Sequence, residues 1–297
     1  MRLNTKLKVK NSKFKRMPAS QKIVFAIAFV LFAIYASTII YMLSWAISSS
    51  LRTRVNLRND PFAWAETPLQ FNNYVLAFTK MEDVLGPGNN MLKLLFNSIW
   101  YSVCGTLIQI ACATTLAYTV SKYKFWGRNA IYFIAIVVMT LPIIGSLPAS
   151  YKLIMELGLD NSPLILLTFT SGFGFNFIVL YGFFANVSWS YAEAGLIDGA
   201  GDFTIFLRIM LPQAVPAILS LYILSFIGVW NDYQGPLLYL KDMPTLAVGI
   251  FRYDEESRGN NHILYAAIII SLIPIIALFL SFQETIMSNT VAGGLKG

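Results

Sequence analysis

Charge is the scarcest property of this 297-residue chain: Asp, Glu, Lys and Arg make up 12% of it. A soluble domain carries about 25%. Set against 56% hydrophobic residues, that shortage excludes an ordinary soluble globular domain. Histidine is nearly absent. The single one, His262, stands at the mouth of the last apolar run and is expected to be an interfacial residue, neither ligand nor base. Two cysteines, Cys104 and Cys112, fall eight residues apart in one apolar run. That excludes a disulfide framework or a metal site, and both are expected to be free buried thiols. No Gly-x-x-x-x-Gly-Lys-Ser/Thr and no His-Glu-x-x-His occurs, so the chain has neither a recognisable phosphate loop nor a zincin helix. It is expected to hold no catalytic residue, no metal and no cofactor of its own.

What the chain has in abundance is uncharged length. Six runs, 23–47, 94–120, 129–151, 161–192, 209–231 and 263–283, are free of Asp, Glu, Lys and Arg. Each meets or exceeds the roughly 20 residues that cross a hydrocarbon core of about 30 Å as a helix. Backbone amides in lipid must be satisfied within the segment, so the expected fold class is an all-α polytopic membrane protein with about six transmembrane helices. Run 161–192 is expected to include loop at both ends. The apolar run at 23–47 is too long for a signal-peptide core and ends in no clear cleavage site, so it is expected to be a retained anchor.

Residues 1–22 hold eight basic residues and no acid. With six spans and the N-terminus inside, segments 1–22, 121–128, 193–208 and 284–297 carry 13 basic and 4 acidic residues. The opposite side carries 9 basic and 10 acidic. This asymmetry predicts cytoplasmic N- and C-termini in the plasma or inner membrane. It also accounts for the net charge of +7 without nucleic acid, since the largest cluster abuts the first span. The organisation is then a basic arm (1–22), a first helix (23–47), an extracytoplasmic insertion (48–91), a transmembrane domain (92–285) and a cytoplasmic tail (286–297). In the insertion, the piece Phe71 to Phe78 fits a short amphipathic helix as well as it fits loop.

Polar groups inside the spans are the places to look for a path. Asn97, Tyr101, Gly105 and Gln109 recur every four residues along one helix face. Such a stripe lines a polar route or, as the favoured reading, makes helix–helix hydrogen bonds with Gly105 allowing close approach. Pro142 and Pro148 in the third run, and Gly172, Gly174 and Asn176 in the fourth, suggest bends around a central pathway. Asp232 is the one acid near the core of a span, in the cluster Trp230, Asn231, Asp232, Tyr233, whose side chains hydrogen-bond and stack.

A polar island at 191–212 separates two apolar segments. Ala192, Glu193 and Ala194 favour helix, Gly199 and Gly201 punctuate, and Phe203 to Met210 resume a helix. Two short helices around a glycine turn would form a compact knob, with Gly199 giving a backbone conformation or a close approach that a side chain would obstruct. Pro212 sits where the next helix begins, a position that tolerates its missing amide.

Glu193, Ala194 and Gly195, followed by Asp198, Gly199 and then Ile209, Leu211 and Pro212, resemble the EAA loop of ABC importer membrane subunits. The resemblance extends over about residues 90–297. It includes Asn97-Ser98, Ala117-Tyr118, Leu157 to Ser162, Ile197 to Ala200, Trp230 to Tyr233 with Pro236, and the ending Ala292 to Gly297. The chain is similar to the MalG-type permeases of carbohydrate ABC importers (the maltose and multiple-sugar class), with the type I, MetI-like transmembrane fold. Gly195 departs from the family, which most often has Ala there, and is expected to loosen the first short helix. The resemblance implies a heteromeric importer: a second homologous permease, two ATPase subunits carrying ATP and Mg, an extracytoplasmic sugar-binding protein and a sugar substrate. It places ATPase coupling on Glu193, Ala194, Gly195, Asp198, Gly199, Ile209, Leu211 and Pro212. The substrate path would draw on Asn97, Tyr101, Gln109, Asn176, Trp230, Asn231, Asp232 and Tyr233.

Rival readings remain. An ABC permease for a peptide or amino acid keeps the same loop. An ion-coupled secondary transporter needs intramembrane acids in paired halves, for which Asp232 alone is a poor basis. An intramembrane aspartyl protease is spelled by Gly199-Ala200-Gly201-Asp202 and Tyr253-Asp254, but these carboxylates are expected on opposite sides of the membrane and could not share a site.

Overall fold

The computed structural model describes residues 18–141, 145–256 and 261–293. The arm to residue 17, Pro142 and the end of the tail from Gly294 lie outside them. Among the described residues there are helices and no strand.

Helix α1 (Ala19–Ser50) buries only Ser48, Ser49 and Ser50, at its last turn. Its apolar side chains otherwise point outward on every face, which suits a helix bathed in lipid rather than one packed in a core. The insertion folds back on its end as α2 (Arg54–Asn59) and α3 (Asn72–Leu85). Helix α3 settles the even choice at 71–78 and is longer than expected, burying Asn73, Ala77 and Met81 at four-residue spacing. Arg52, 4% exposed, organises the turn between the two helices. Its guanidinium donates to the carbonyls of Asn56 (2.6 Å), Asp60 (2.7 Å) and Ala63 (3.0 Å). The Asn73 amide donates to the carbonyls of Ser50 and Arg52, both at 2.8 Å, pinning α3 to the end of α1.

Helix α4 (Met91–Lys122) is the axis of the bundle. Its buried side includes Ser98, Ser102, Gly105, Thr106, Ala113, Thr114 and Ala117. Small residues bring helices close where no hydrophobic driving force exists between them and lipid.

Two apolar runs are not continuous helices. The third yields α5 (Arg128–Thr140) and α6 (Ser146–Glu156), parted next to Gly145, which sits at φ +86°. Pro148 lies within α6. The fourth yields a 3-10 turn (Pro163–Phe169), a break holding Gly172 and Gly174 at positive φ, and then α7 (Phe175–Asn186) and α8 (Ser190–Ile197). An uncharged run reports the cost of transfer to lipid, which is blind to whether the backbone turns within it. The helices long and apolar enough to cross a membrane unaided are Ala19–Ser50, Met91–Lys122, Asp202–Asn231 and Asn261–Gln283, with Arg128–Thr140 and Phe175–Asn186 shorter.

The fifth run begins earlier than expected. Helix α9 (Asp202–Ile205) passes through a π turn (Phe206–Met210) into α10 (Leu211–Asn231). Pro212 therefore does not open a new helix. It lies nearly three turns inside a continuous one that starts at Asp202, and the Leu211 amide reaches back five residues to the carbonyl of Phe206. The widened turn accommodates a proline that cannot continue the four-residue ladder. Short α11 (Gln234–Tyr239) and α12 (Leu246–Glu256) then lead to α13 (Asn261–Gly293), which packs along α1 and α10.

Candidate functional site

The polar island folds as the expected knob, at the end of the bundle opposite α2, α3 and α12. Helix α8 terminates in a Schellman motif: the Gly199 amide donates to the Leu196 carbonyl at 3.0 Å, and the Ala200 amide to the Gly195 carbonyl at 2.9 Å. Gly199 is the left-handed residue of that cap, at φ +79°, and a Cβ there would meet nothing within 4 Å. Of the two roles foreseen for it, the backbone conformation holds and the close approach does not.

The close approach belongs to Gly195. A Cβ added there would lie 2.7 Å from Cδ1 of Ile209 and 3.3 Å from Cγ1 of Ile205. The helix runs unbroken through Gly195, which seats α8 against α9 and the π turn. Ala192, Ile205 and Met210 complete this small core, each no more than 1% exposed.

Three contacts fasten the knob to the membrane helices. Lys122 donates to the carbonyl of Val187 at 2.5 Å. The Tyr123 hydroxyl donates to Asp202 Oδ1 at 2.9 Å. The ring of Tyr118, on α4, lies 5.4 Å from Phe184 and 4.8 Å from Phe206. Burial first, then the neighbouring Tyr118 hydroxyl and the hydrogen bond to Asp202, push the Tyr123 hydroxyl well above the ordinary tyrosine range, so it is a fixed donor at physiological pH.

The loop residues singled out from sequence divide by what they touch. Gly195 and Ile209 meet inside the knob, Gly199 shapes its turn, and Leu211 and Pro212 belong to the helix that leaves it. Glu193, Ala194 and Asp198 are exposed. The structure adds to them Ile197, 87% exposed, and Phe203, 74% exposed, with Tyr191 and Leu196 beside them. Residue type alone does not mark them as exposed, because an apolar side chain in this loop can equally face the knob's own core, as Ile205 does. The signal was present: large apolar residues inside an otherwise polar island.

The residues singled out for a path do not form one cluster. Asn97 donates to the Pro244 carbonyl at 2.9 Å, and Asn176 donates to Ser225 Oγ at 2.9 Å, tying α7 to α10. Tyr101 is buried edge-on against Trp100 and Phe169. A Cβ on Gly105 would lie 2.9 Å from the Phe169 ring, the close approach expected of that glycine. Gln109 is half-buried. Trp230 stacks on Phe226 in the core, and Asp232 Oδ1 accepts the Gln234 and Gly235 amides (2.9 and 3.2 Å) to cap α11. Asn231 and Tyr233 border a cavity of about 380 Å³ with Phe251 and Asp254. Tyr233 stacks on Phe251 at 4.4 Å.

His262 stands at the mouth of the last helix, as expected, and is buried there; among the described residues its Nδ1 has no hydrogen-bond partner. Cys104 and Cys112 are free and half-buried, not fully buried. Asp202 stands in the knob and Asp254 at the opposite end, so the protease pairing cannot form. Among the described residues no group of His, Cys, Asp and Glu could hold a metal.

A polytopic helical bundle whose central helices join through a capped, externally exposed knob defines a membrane transport subunit rather than an enzyme. The chain belongs to the family of binding-protein-dependent transport system inner membrane components, whose model matches residues 109–289. It is 26% identical over 277 residues to the diacetylchitobiose uptake system permease protein NgcG of Streptomyces coelicolor, covering 91% of this chain and 89% of that one. It is 30% identical over 223 residues to the maltose/maltodextrin transport system permease protein MalG of Vibrio parahaemolyticus, covering 72% of this chain and 75% of that one. In fold it resembles a chain of a bacterial ABC transporter that imports the acidic polysaccharide alginate, with a TM-score of 0.71, 24% identity, and coverage of 90% of this chain and 98% of that one. The type I, MetI-like expectation thus holds, with two of the six passages broken.

Proposed function

We propose that this chain is one permease subunit of an ATP-driven ABC importer for a sugar or oligosaccharide, forming half of the translocation pathway. The observation that carries the coupling role is the continuous helical path Asp202–Asn231, 30 residues long, with the capped knob at its end. At 1.5 Å per residue it spans about 45 Å, so a tilt imposed on the knob reaches the far side of the bilayer. Ile197, Phe203 and Leu196, with Glu193 and Asp198 at their rim, are the surface offered to an ATPase subunit. ATP and Mg bound by two such subunits would favour one of two discrete packings, and the knob would carry that bias to the membrane helices. The second permease, the ATPases and an extracytoplasmic sugar-binding protein are the partners this reading requires, with both termini cytoplasmic as the basic residues suggest. Of the path residues, Asn231 and Tyr233 are the ones whose side chains border open space, so sugar contact is assigned to them first. Asp232 acts on that path by holding α11 in place.

The test is to purify the tagged chain from native membranes in mild detergent and identify what accompanies it. Recovery of a second permease and a phosphate-loop ATPase, followed by ATP-dependent sugar uptake in proteoliposomes, supports the reading. Recovery of this chain alone, transporting without ATP, overturns it.

A further inference from the structure

A cavity of about 440 Å³ lies where the end of α1 meets the start of α13, on the face opposite the knob. Trp45, Arg54, Arg58, Pro61, Asn261 and Tyr265 line it. Its aromatic wall is fixed: the Trp45 indole donates to the Pro61 carbonyl at 3.1 Å and meets Tyr265 edge-on at 5.3 Å. Arg54 and Arg58 are one turn apart on α2, so both guanidinium groups project from the same side of a short helix. Two like charges at that spacing repel. Among the described residues neither is in an ion pair. The neighbouring Asp60 carboxylate is taken by the amides of Phe62 and Ala63, at 3.0 and 3.2 Å. Arg52 shows the contrast, since its own guanidinium is consumed by backbone carbonyls. The pair on α2 is thus a concentrated positive charge that, among the described residues, no ion pair engages, set beside two aromatic side chains near helix ends.

That combination has a defined complement. Tryptophan and tyrosine at the ends of membrane helices sit at headgroup depth. Paired guanidinium groups match the oxygens of a phosphate. On the side of α1 that carries Trp45, Leu31, Ile34 and Met42 are exposed, a surface for acyl chains. We propose that this cavity binds the phosphate headgroup of an anionic phospholipid in the leaflet opposite the knob. The acyl chains would lie along α1, and the lipid would seal the junction between α1 and α13. The same phosphate chemistry could come from free phosphate, and the apolar flank of α1 favours the lipid.

The full-length chain, purified with its partners in mild detergent, is equilibrated with mixed phosphatidylglycerol and phosphatidylcholine, and retained lipids are counted by native mass spectrometry. Two interfacial charges are expected to favour phosphatidylglycerol by about tenfold to thirtyfold. Substituting R54Q and R58Q together should bring that preference close to unity, while R54K with R58K keeps part of it. Excess inorganic phosphate should leave the bound lipid in place. Displacement by phosphate would reassign the site to a free anion and overturn the lipid proposal. So would a wild-type chain without the preference, or a glutamine variant that retains it. Loss of binding-protein docking in that variant with lipid retention unchanged would overturn it in favour of a protein contact. If the variant does not insert, a photoreactive phosphatidylglycerol on the wild type decides: labelling of peptides holding Trp45 or Tyr265 supports the site, and labelling elsewhere only refutes it.

Discussion

Gly199 concentrates the coupling argument in one residue, because its role is conformational and nothing else. It is the left-handed residue that ends α8, at φ +79°, and its Cβ direction opens onto empty space. A side chain there meets no steric obstacle beyond its own backbone. For a non-glycine residue the left-handed conformation costs roughly 1–2 kcal/mol. At 1.4 kcal/mol per tenfold, that shifts the capped turn toward open forms by about 5- to 30-fold. Asparagine, which tolerates this conformation best, should cost least, and β-branched valine most. The expected order of ATP-driven uptake in proteoliposomes is therefore wild type, Gly199→Asn, Gly199→Ala, Gly199→Val, with the last near zero. Membrane insertion, followed by protease protection, should be the same in all four. Normal uptake by Gly199→Val would refute the coupling role of the loop. Equal losses in all three variants would show that the position acts by contact with a partner, not by its backbone.

Gly195→Ala sets a helix-propensity gain of about 1 kcal/mol against a methyl contact of 2.7 Å with the mobile end of Ile209, and should leave the melting temperature near that of the wild type. Gly195→Leu, by contrast, should separate α8 from α9 and stop uptake. Ile197→Asp with Phe203→Asp removes exposed side chains that make no internal core, so folding should be unchanged while recovery of an ATPase subunit in pull-downs falls at least tenfold; undiminished recovery would place the docking face elsewhere. Tyr123→Phe deletes the bond to Asp202, worth about 1 kcal/mol, and should lower uptake without blocking insertion. Because the Tyr123 hydroxyl is held above its ordinary value, its stabilisation is fully present below the unfolded tyrosine value of about 10 and is lost only as pH rises through the higher folded value. The Tyr123→Phe difference should thus be constant from pH 6 to about 9, and a difference that vanished within that window would refute the assignment. Arg52→Ala leaves the carbonyls of Asn56, Asp60 and Ala63 without their donor at a cost of about 1–3 kcal/mol, and should make the 51–70 stretch sensitive to protease while uptake components still assemble.

The membrane class, the helices α1, α4, α10 and α13, and the position of the knob all follow from residue order. They rest on local quantities: transfer to lipid summed along a run, and glycine chemistry at a helix end. Gly199 is the best case, since a Schellman cap is completed by bonds within six residues of chain. The broken third and fourth passages were harder to see, because hydropathy carries no term for where the backbone turns. What Gly195 does depended on Ile205 and Ile209, which reach it only when α9 folds back. Likewise the stripe holding Asn97 allowed a polar lining or, as favoured, a hydrogen-bonding role, and only the fold supplies the partner, Pro244, 147 residues away. A buried amide and a pathway amide have the same spacing in a sequence. Only the tertiary fold decides whether a carbonyl or open space faces it, because that choice is made by segments distant in the chain.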